Sequence, residues 1–228
     1  MKGRGLAIAT LALGAASIGV FVAFAMLAEA RAAGACMPAG AVVQFELARN
    51  GEDLAAIFGA SDASCGPRVI AAMDAINRLD LLAFIPTYTA FALAAALFLA
   101  GGALRPLSIA AAAAALGAAA GDYVETTTLL KITQTLDSPE ALLGMSQAGA
   151  WSKFALLAAH ALFCAGLCFL GERRRPFLGA LLLLPTLGVA AAAYDHVRLA
   201  NVMNGAFALA WLGVLAASAR DLFAKEVT

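Results

Sequence analysis

Ionisable residues within long apolar stretches are the first candidates for chemistry in this sequence. Such side chains are costly in hydrocarbon, so they are retained mainly where they bind a ligand, carry a proton or pair with another charge. Eight residues are predicted to form a ligand-binding site: Asp80, Tyr88, Asp122, Glu125, Lys153, His160, Asp195 and His196. Because buried charges usually occur paired, salt bridges that lock helix ends together are the competing interpretation.

The spacing of the acidic residues places several of them at one depth. Asp122 and Glu125 are three residues apart and share a helix face. Counted from Arg105 at the rise of an α-helix, they lie roughly 25 and 30 Å along the helix, near the far edge of the hydrocarbon. The predicted topology brings other charged residues to that level: Asp80, Lys153, Asp195 and His196.

A second stripe runs deeper along one predicted helix. Lys153, His160, Cys164 and Cys168 follow spacings that place them on one face, which we expect to contact protein rather than lipid. Histidine and thiolates can bind zinc or copper. A histidine hydrogen-bonded across helices beside two small cysteines is the commoner arrangement, so no metal and no cofactor are indicated.

The elements that position these residues are membrane-spanning helices. The chain has 228 residues, 63% hydrophobic and only 13% charged, which is typical of a protein in lipid. Runs of about 20 apolar residues cross a bilayer as helices. Six such runs predict an all-α integral membrane protein, a six-transmembrane-helix bundle forming a single membrane domain over 1–228, with spans near 6–28, 81–101, 107–125, 154–170, 177–194 and 206–219.

Basic residues predict the orientation of the bundle, because they are retained on the cytoplasmic side. More than half of the 15 basic residues lie in short segments on one side: Lys2, Arg4, Arg105, Arg173, Arg174, Arg175, Arg220 and Lys225. The acidic residues on that side are only Glu172, Asp221 and Glu226. We therefore expect both termini in the cytoplasm and the segment 31–80 on the outer side of a bacterial-type inner membrane. The zero net charge gives no reason to expect a nucleic-acid partner.

The first span has an alternative interpretation as a cleaved signal peptide, since a basic start precedes it and small residues follow it near Ala28. A signal-peptide core has roughly 7–15 residues, and the run 6–28 is longer. Its length favours a retained span.

The outer segment 31–80 is too short and too poor in large apolar residues for an independent core, so we expect it to lean on the bundle. Asn50 is predicted to cap one short helix. Another helix is predicted to start near Pro67 and to run into the second span. Cys36 and Cys65 are predicted to form a disulfide, the alternative being two unpaired thiols.

Three further patterns concern helix geometry. Asp137 to Glu140 predicts a helix start, and we expect that helix to lie along the membrane surface before the fourth span. Pro86 and Pro185 interrupt the second and fifth spans, as in transporters with broken helices. Gly117 and Gly121 allow close backbone contact, either within the chain or in a homodimer.

These patterns favour a protein that binds or translocates a small molecule or lipid at a polar site in the outer half of the bundle. One alternative is a metal-dependent lipid hydrolase using Asp122, Glu125, Asp195 and His196. The other is a structural or assembly subunit in which the same charges merely pair. The sequence does not decide whether the chain is an enzyme, and the partners expected from it are the lipid bilayer and a small-molecule or lipid ligand.

Overall fold

The computed structural model describes residues 2–59, 64–102 and 105–224; the predicted inner charges Lys225 and Glu226 lie outside these ranges. The described chain is helical and contains no strand. Its α-helices are α1 (Lys2–Met26), α2 (Ala28–Ala33), α3 (Ala41–Glu46), α4 (Gly51–Phe58), α5 (Cys65–Leu79), α6 (Ile85–Leu99), α7 (Pro106–Ile132), α8 (Glu140–Leu170), α9 (Pro176–Leu181), α10 (Leu184–Tyr194) and α11 (Ala200–Phe223).

Six helical stretches of the described chain are long and apolar enough to cross a membrane: Gly3–Met26, Cys65–Leu99, Pro106–Ile132, Glu140–Leu170, Pro176–Tyr194 and Ala200–Phe223. Each overlaps one of the predicted spans. The prediction of an all-α, multi-pass membrane protein is therefore confirmed by the helical content and by the length and composition of these six stretches.

The largest deviation from the prediction concerns the start of the fourth span. Its helix begins at Glu140, as the Asp-Ser-Pro-Glu signal indicates, but α8 then continues unbroken to Leu170. The prediction of a separate surface helix before the span is wrong. The reason is local, because no proline follows Pro139 within α8 and Gly149 lies against α7 instead of ending the helix.

The chain divides into two compact units. The first comprises the described residues of 1–17, 87–118 and 154–228, and the second those of 18–86 and 119–153. The core of the first unit consists largely of small residues around Phe91, among them Ala111, Ala161, Ala165 and Ala210. Alanine lets helix backbones approach closely in a membrane protein, where burial from water gives little driving force.

The core of the second unit is built from larger side chains of the segment between the first two spans. Phe45, Leu54 and Phe58 pack with Leu129 of α7 and Leu143 of α8. The rings of Phe45 and Phe58 meet edge to face, with their centroids 4.9 Å apart. The short helices of this segment thus bury their apolar faces against the ends of α7 and α8 that belong to the same unit.

Helix α4 begins at the predicted cap. The amide of Asp53 donates to Asn50 Oδ1 over 2.9 Å, and Asp53 Oδ2 accepts from the amide of Arg49 over 2.7 Å. The first bond satisfies one of the amides that the first turn of a helix leaves without partners, and the second fixes the chain just before the cap. The interpretation of Asn50 as a cap is confirmed.

Both proline-containing spans are irregular just before the proline. In the second span a turn of π-helix, Asp80–Phe84, separates α5 from α6, which contains Pro86. In the fifth span α9 ends at Leu181, and α10 begins at Leu184 with Pro185 in its first turn. Proline has no amide hydrogen to give to the preceding turn, so the carbonyls there are freed and the helix changes pitch.

The predicted disulfide is present between Cys36 and Cys65, whose Cα atoms are 5.3 Å apart and 29 residues apart in sequence. Cys36 also packs against the core of the second unit. The bond therefore closes the segment over its own apolar side chains.

Removing this bond with Cys36→Ser and Cys65→Ser together is expected to lower the free energy of unfolding by about 3–4 kcal/mol, because a loop of this length gains chain entropy when it is opened. Thermal unfolding of the purified protein in detergent, with and without reductant, measures the loss. The control is Cys164→Ser, which removes a thiol of the first unit. A wild-type melting temperature unchanged by reduction would contradict the expectation.

Candidate functional site

A cluster of charged side chains lies in the second unit, and we call it the Lys153 cluster. Four carboxyl groups and one hydroxyl surround a single ammonium: Glu46, Asp80, Asp122, Glu125, Thr126 and Lys153. Glu46 ends α3, Asp80 opens the π-helical turn, α7 supplies Asp122, Glu125 and Thr126, and α8 supplies Lys153. All come from one compact unit.

Lys153 is the centre of the cluster and is buried, with only 5% of its surface exposed. Its Nζ lies 2.7 Å from Glu125 Oε2, 3.1 Å from Asp122 Oδ1 and 3.3 Å from Glu46 Oε2. An ammonium group has three hydrogens to donate, so these three carboxylates match its capacity. The salt bridges anticipated from the sequence between Lys153 and α7 are present.

Asp80 joins the cluster through Thr126. The Thr126 hydroxyl donates to Asp80 Oδ2 over 2.9 Å, and Oδ1 of Asp122 is 3.4 Å from the same hydroxyl oxygen. A hydroxyl has one hydrogen to donate, so the two aspartates share one donor. Asp80 is therefore held beside the other carboxyl groups by a neutral residue.

The cluster carries more acidic groups than basic ones. The described residues place four carboxyl groups around one lysine, and Glu125, with no exposed surface, has no hydrogen-bond partner for its Oε1 within them. Several buried carboxylates in contact cannot all stay ionised unless cations offset them. Burial raises the pKa of Glu46, which lies outside the spanning helices; Lys153 opposes that effect and Asp122 adds to it. Such a site is suited to binding a further cation.

Two glycines bring α7 and α8 into backbone contact beside the cluster. A Cβ added to Gly149 would lie 2.7 Å from the Glu125 amide nitrogen and 2.8 Å from the Gly121 carbonyl oxygen. A Cβ on Gly121 would be 3.1 Å from the Lys153 amide nitrogen. This close approach sets the short reach from Lys153 to the carboxylates of α7.

Gly117 also faces α8, where a Cβ would lie 3.0 Å from Leu156 Cδ1. Gly117 and Gly121 are thus both used in packing within the chain. A homodimer through these glycines stays a prediction.

His160 lies in the first unit and is buried, as are Cys164 and Cys168 on the same helix face. Its Nδ1 is 3.0 Å from the Ala111 carbonyl oxygen and donates to it, because a carbonyl only accepts. In the neutral ring, Nε2 then accepts from the Cys164 thiol, whose sulfur is 3.6 Å away. The arrangement is that of a histidine satisfied across helices.

A small cavity of about 20 Å³ adjoins His160 and Cys164, and Trp211 is part of its wall. That volume holds about one water molecule. Tyr88, in the same unit, is buried with its ring centroid 6.2 Å from that of Trp211. Of the residues predicted from the sequence, His160 therefore lines a space for one solvent molecule, while Tyr88 packs beside Trp211.

Asp195 shapes the turn between α10 and α11. Its Oδ1 accepts from the amides of Val197, over 3.1 Å, and Arg198, over 3.0 Å. The Arg198 amide, followed by that of Val197, holds the pKa of Asp195 below its ordinary value. His196 follows in this turn, in the first unit. Among the residues that the structure describes, no group of three or more His, Cys, Asp or Glu is arranged to hold a metal ion.

Two members of the Lys153 cluster were not anticipated from the sequence, namely Glu46 and Thr126. Thr126 follows Glu125 directly, so its position on α7 next to the acidic residues was a usable signal. The position of Glu46 was harder to predict, because α3 has only six residues. The buried residues of so short a helix, Ala41, Val43 and Phe45, do not establish a helical period.

No protein-family model, no curated protein and no solved structure matches this chain. The described chain combines the six apolar helices of a multi-pass membrane protein with a buried acidic cluster around one lysine.

Proposed function

We propose that this chain is a membrane protein that binds or translocates a small molecule or lipid headgroup bearing a basic nitrogen, and that the Lys153 cluster in the outer half of the bundle is its binding site. The observation that carries the proposal is the surplus of carboxyl groups over cations, together with the buried Glu125 Oε1, which no described residue satisfies. A cationic ligand would donate a hydrogen bond to Glu125 Oε1 and would offset the negative charge that Lys153 leaves unbalanced.

Lys153 acts in this proposal as a tethered competitor of the ligand. Its ammonium occupies the position that a ligand ammonium or guanidinium prefers, within 3.3 Å of three carboxylates. Binding requires the lysine side chain to move aside, and release returns it. A built-in competitor keeps a buried, strongly charged site from holding its ligand permanently, as translocation requires.

The irregular second span supports a moving site. Asp80 is the first residue of the π-helical turn that precedes Pro86. Turns of π-helix occur frequently at functional sites. A change of pitch there would move Asp80 along α7 and alter how many carboxylates face the ligand.

The test is a thermal-shift screen of the purified chain with alkylamines and with guanidines, whose N–H groups can donate to Glu125 Oε1. We expect at least one of these cation classes to raise the melting temperature of the wild type. Glu125→Gln should lower the affinity for that ligand by roughly 10- to 100-fold, as expected for loss of a charged hydrogen-bond partner. Asp137→Asn is the matched control, since Asp137 is an exposed acidic residue of the same unit.

Two results would reject this proposal. One is that no cation class shifts the melting temperature of the wild type. The other is that Glu125→Gln and Asp122→Asn, while remaining folded, keep the wild-type affinity for the ligand identified.

A structural or assembly subunit is the second candidate function, favoured by the observation that three carboxylates match the donors of Lys153. In that case the cluster locks α3, α7 and α8 together, and the segment 31–80 is available to dock a partner. Purification in mild detergent distinguishes the two functions: a protein partner at fixed stoichiometry, with no response to cations, favours assembly. The hydrolase alternative has no supporting observation in the described chain, where no metal-binding group of side chains is found.

A further inference from the structure

A second charged site, of opposite sign, lies in the first unit. An open depression of about 340 Å³ is lined by Arg173, Arg174, Arg175, Arg220, Asp221 and Ala224. The first three residues connect α8 to α9, Arg220 and Asp221 belong to the last turn of α11, and Ala224 follows that helix. Three helix ends thus contribute to one concave basic surface.

Among the described residues, the positive charge of this depression is only partly neutralised. Asp221 Oδ2 lies 2.7 Å from Arg175 Nη2 and 3.3 Å from Arg173 Nη1, and Asp221 Oδ1 is 3.7 Å from Arg220 Nη2. One carboxylate therefore serves three guanidinium groups. Arg174 is exposed and forms no ion pair within the described chain. The surplus is cationic, as an anion-binding site requires.

Arg175 is held in place by its neighbours, and one of its donors has no acceptor in the described chain. Its side chain is 9% exposed, and its guanidinium carbon lies 4.7 Å from the centroid of the Phe98 ring. Nη2 is bound to Asp221, while Nη1 is buried and has no hydrogen-bond partner in the described chain. A buried charged donor without an acceptor is costly, so an acceptor supplied by a ligand explains the arrangement.

Apolar residues flank the basic ones along the chain. Leu170, at the end of α8, is 78% exposed, Phe177 at the start of α9 is 79% exposed and Phe223 at the end of α11 is 62% exposed. At the ends of spanning helices such side chains face hydrocarbon. A ligand with an anionic head and an apolar tail fits both features.

From this geometry we infer that the depression binds a phosphate group, carried either by an anionic phospholipid or by free inorganic phosphate. Guanidinium groups bind phosphate oxygens in pairs, with two parallel N–H donors to two oxygens. Arg175 supplies one donor, Nη1, since Nη2 is held by Asp221, and Arg173, Arg174 and Arg220 supply the surrounding positive charge. Basic pockets between spanning helices are suited to anionic lipid headgroups. The inference does not depend on the Lys153 cluster.

The experiment is native mass spectrometry of the full chain from neutral detergent, with phosphatidylglycerol and phosphatidylcholine added at equal concentration. We expect the wild type to retain phosphatidylglycerol in preference. The double variant Arg174→Gln, Arg220→Gln should weaken retention by roughly 25-fold, at about 5-fold for each basic residue at an anionic surface. Both side chains are exposed, so the fold should survive, and thermal unfolding checks that.

The matched control is Arg49→Gln, Arg68→Gln, two exposed arginines of the second unit. Retention that excess inorganic phosphate leaves unchanged assigns the site to the lipid. Displacement by inorganic phosphate, accompanied by a variant-sensitive phosphate adduct, assigns it to free phosphate. Equal retention of the two lipids without a phosphate adduct, or equal losses in the double variant and the control, would overturn the inference.

Discussion

Lys153→Met is expected to lower the free energy of unfolding by about 3–5 kcal/mol, because it leaves buried carboxylates without their shared cation. Methionine keeps most of the apolar length of the lysine side chain, so lost packing accounts for little of the effect. Glu125 and Asp122 are almost fully buried, so without Lys153 their negative charges would lie uncompensated in the protein interior. Unfolding of the purified protein in mixed micelles measures the loss.

Lys131→Met is the control for this substitution, because Lys131 is an exposed lysine in the last turn of α7. Its effect should stay within about 0.5 kcal/mol, as at an ordinary surface position. Adding Asp122→Asn and Glu125→Gln to Lys153→Met should recover part of the loss, since the unpaired charges are then absent. A small loss in Lys153→Met, comparable to that of the control, would show that the ion pairs contribute little.

Gly149→Ala is expected to destabilise the protein by about 1–3 kcal/mol, because its methyl group would overlap backbone atoms of α7. The nearest atoms are the Glu125 amide nitrogen and the Gly121 carbonyl oxygen, and neither belongs to a side chain that can rotate away. The helices must separate to make room, and the distance from Lys153 to Glu125 grows with them. The melting temperature should therefore fall.

Gly144→Ala is the matched control on the same helix, since a Cβ at Gly144 would meet no atom within 4 Å. Alanine is the better helix former, so this variant should be more stable than the wild type by about 0.5–1 kcal/mol. The two substitutions are chemically identical and opposite in expected sign. If both raised the melting temperature, backbone contact between α7 and α8 would not limit stability.

The spanning helices and part of the Lys153 cluster could be predicted because long apolar helices have a fixed rise per residue. Asp122 and Glu125 on one face of α7 and Lys153 at the same level of α8 follow from that geometry. The Asn50 cap follows from local chemistry, and the disulfide follows from the oxidising compartment expected for the segment that Cys36 and Cys65 bracket. Ligand binding by the eight predicted residues stays a prediction, since ion pairs alone do not reveal it.

The unpredicted features depend on contacts between segments. Glu46 enters the cluster because α3 packs its apolar face into the second unit, and a helix of six residues leaves only a weak periodic signal. Helix α8 begins before the predicted span, where Gly149 packs against Gly121 of α7. This contact cannot be recognised from the sequence of either helix by itself. The arginine depression is formed by residues far apart in sequence, whose convergence requires the folded helix ends.

The Cys36–Cys65 bond also allows insertion of the protein into the membrane to be measured. Cytoplasmic thiols are kept reduced, so this bond closes only if residues 31–80 reach an oxidising compartment. The two remaining cysteines, Cys164 and Cys168, are buried and far less accessible to thiol reagents. The fraction of newly made chains that resists thiol labelling at Cys36 and Cys65 therefore counts the molecules that entered the membrane with this segment on the oxidising face.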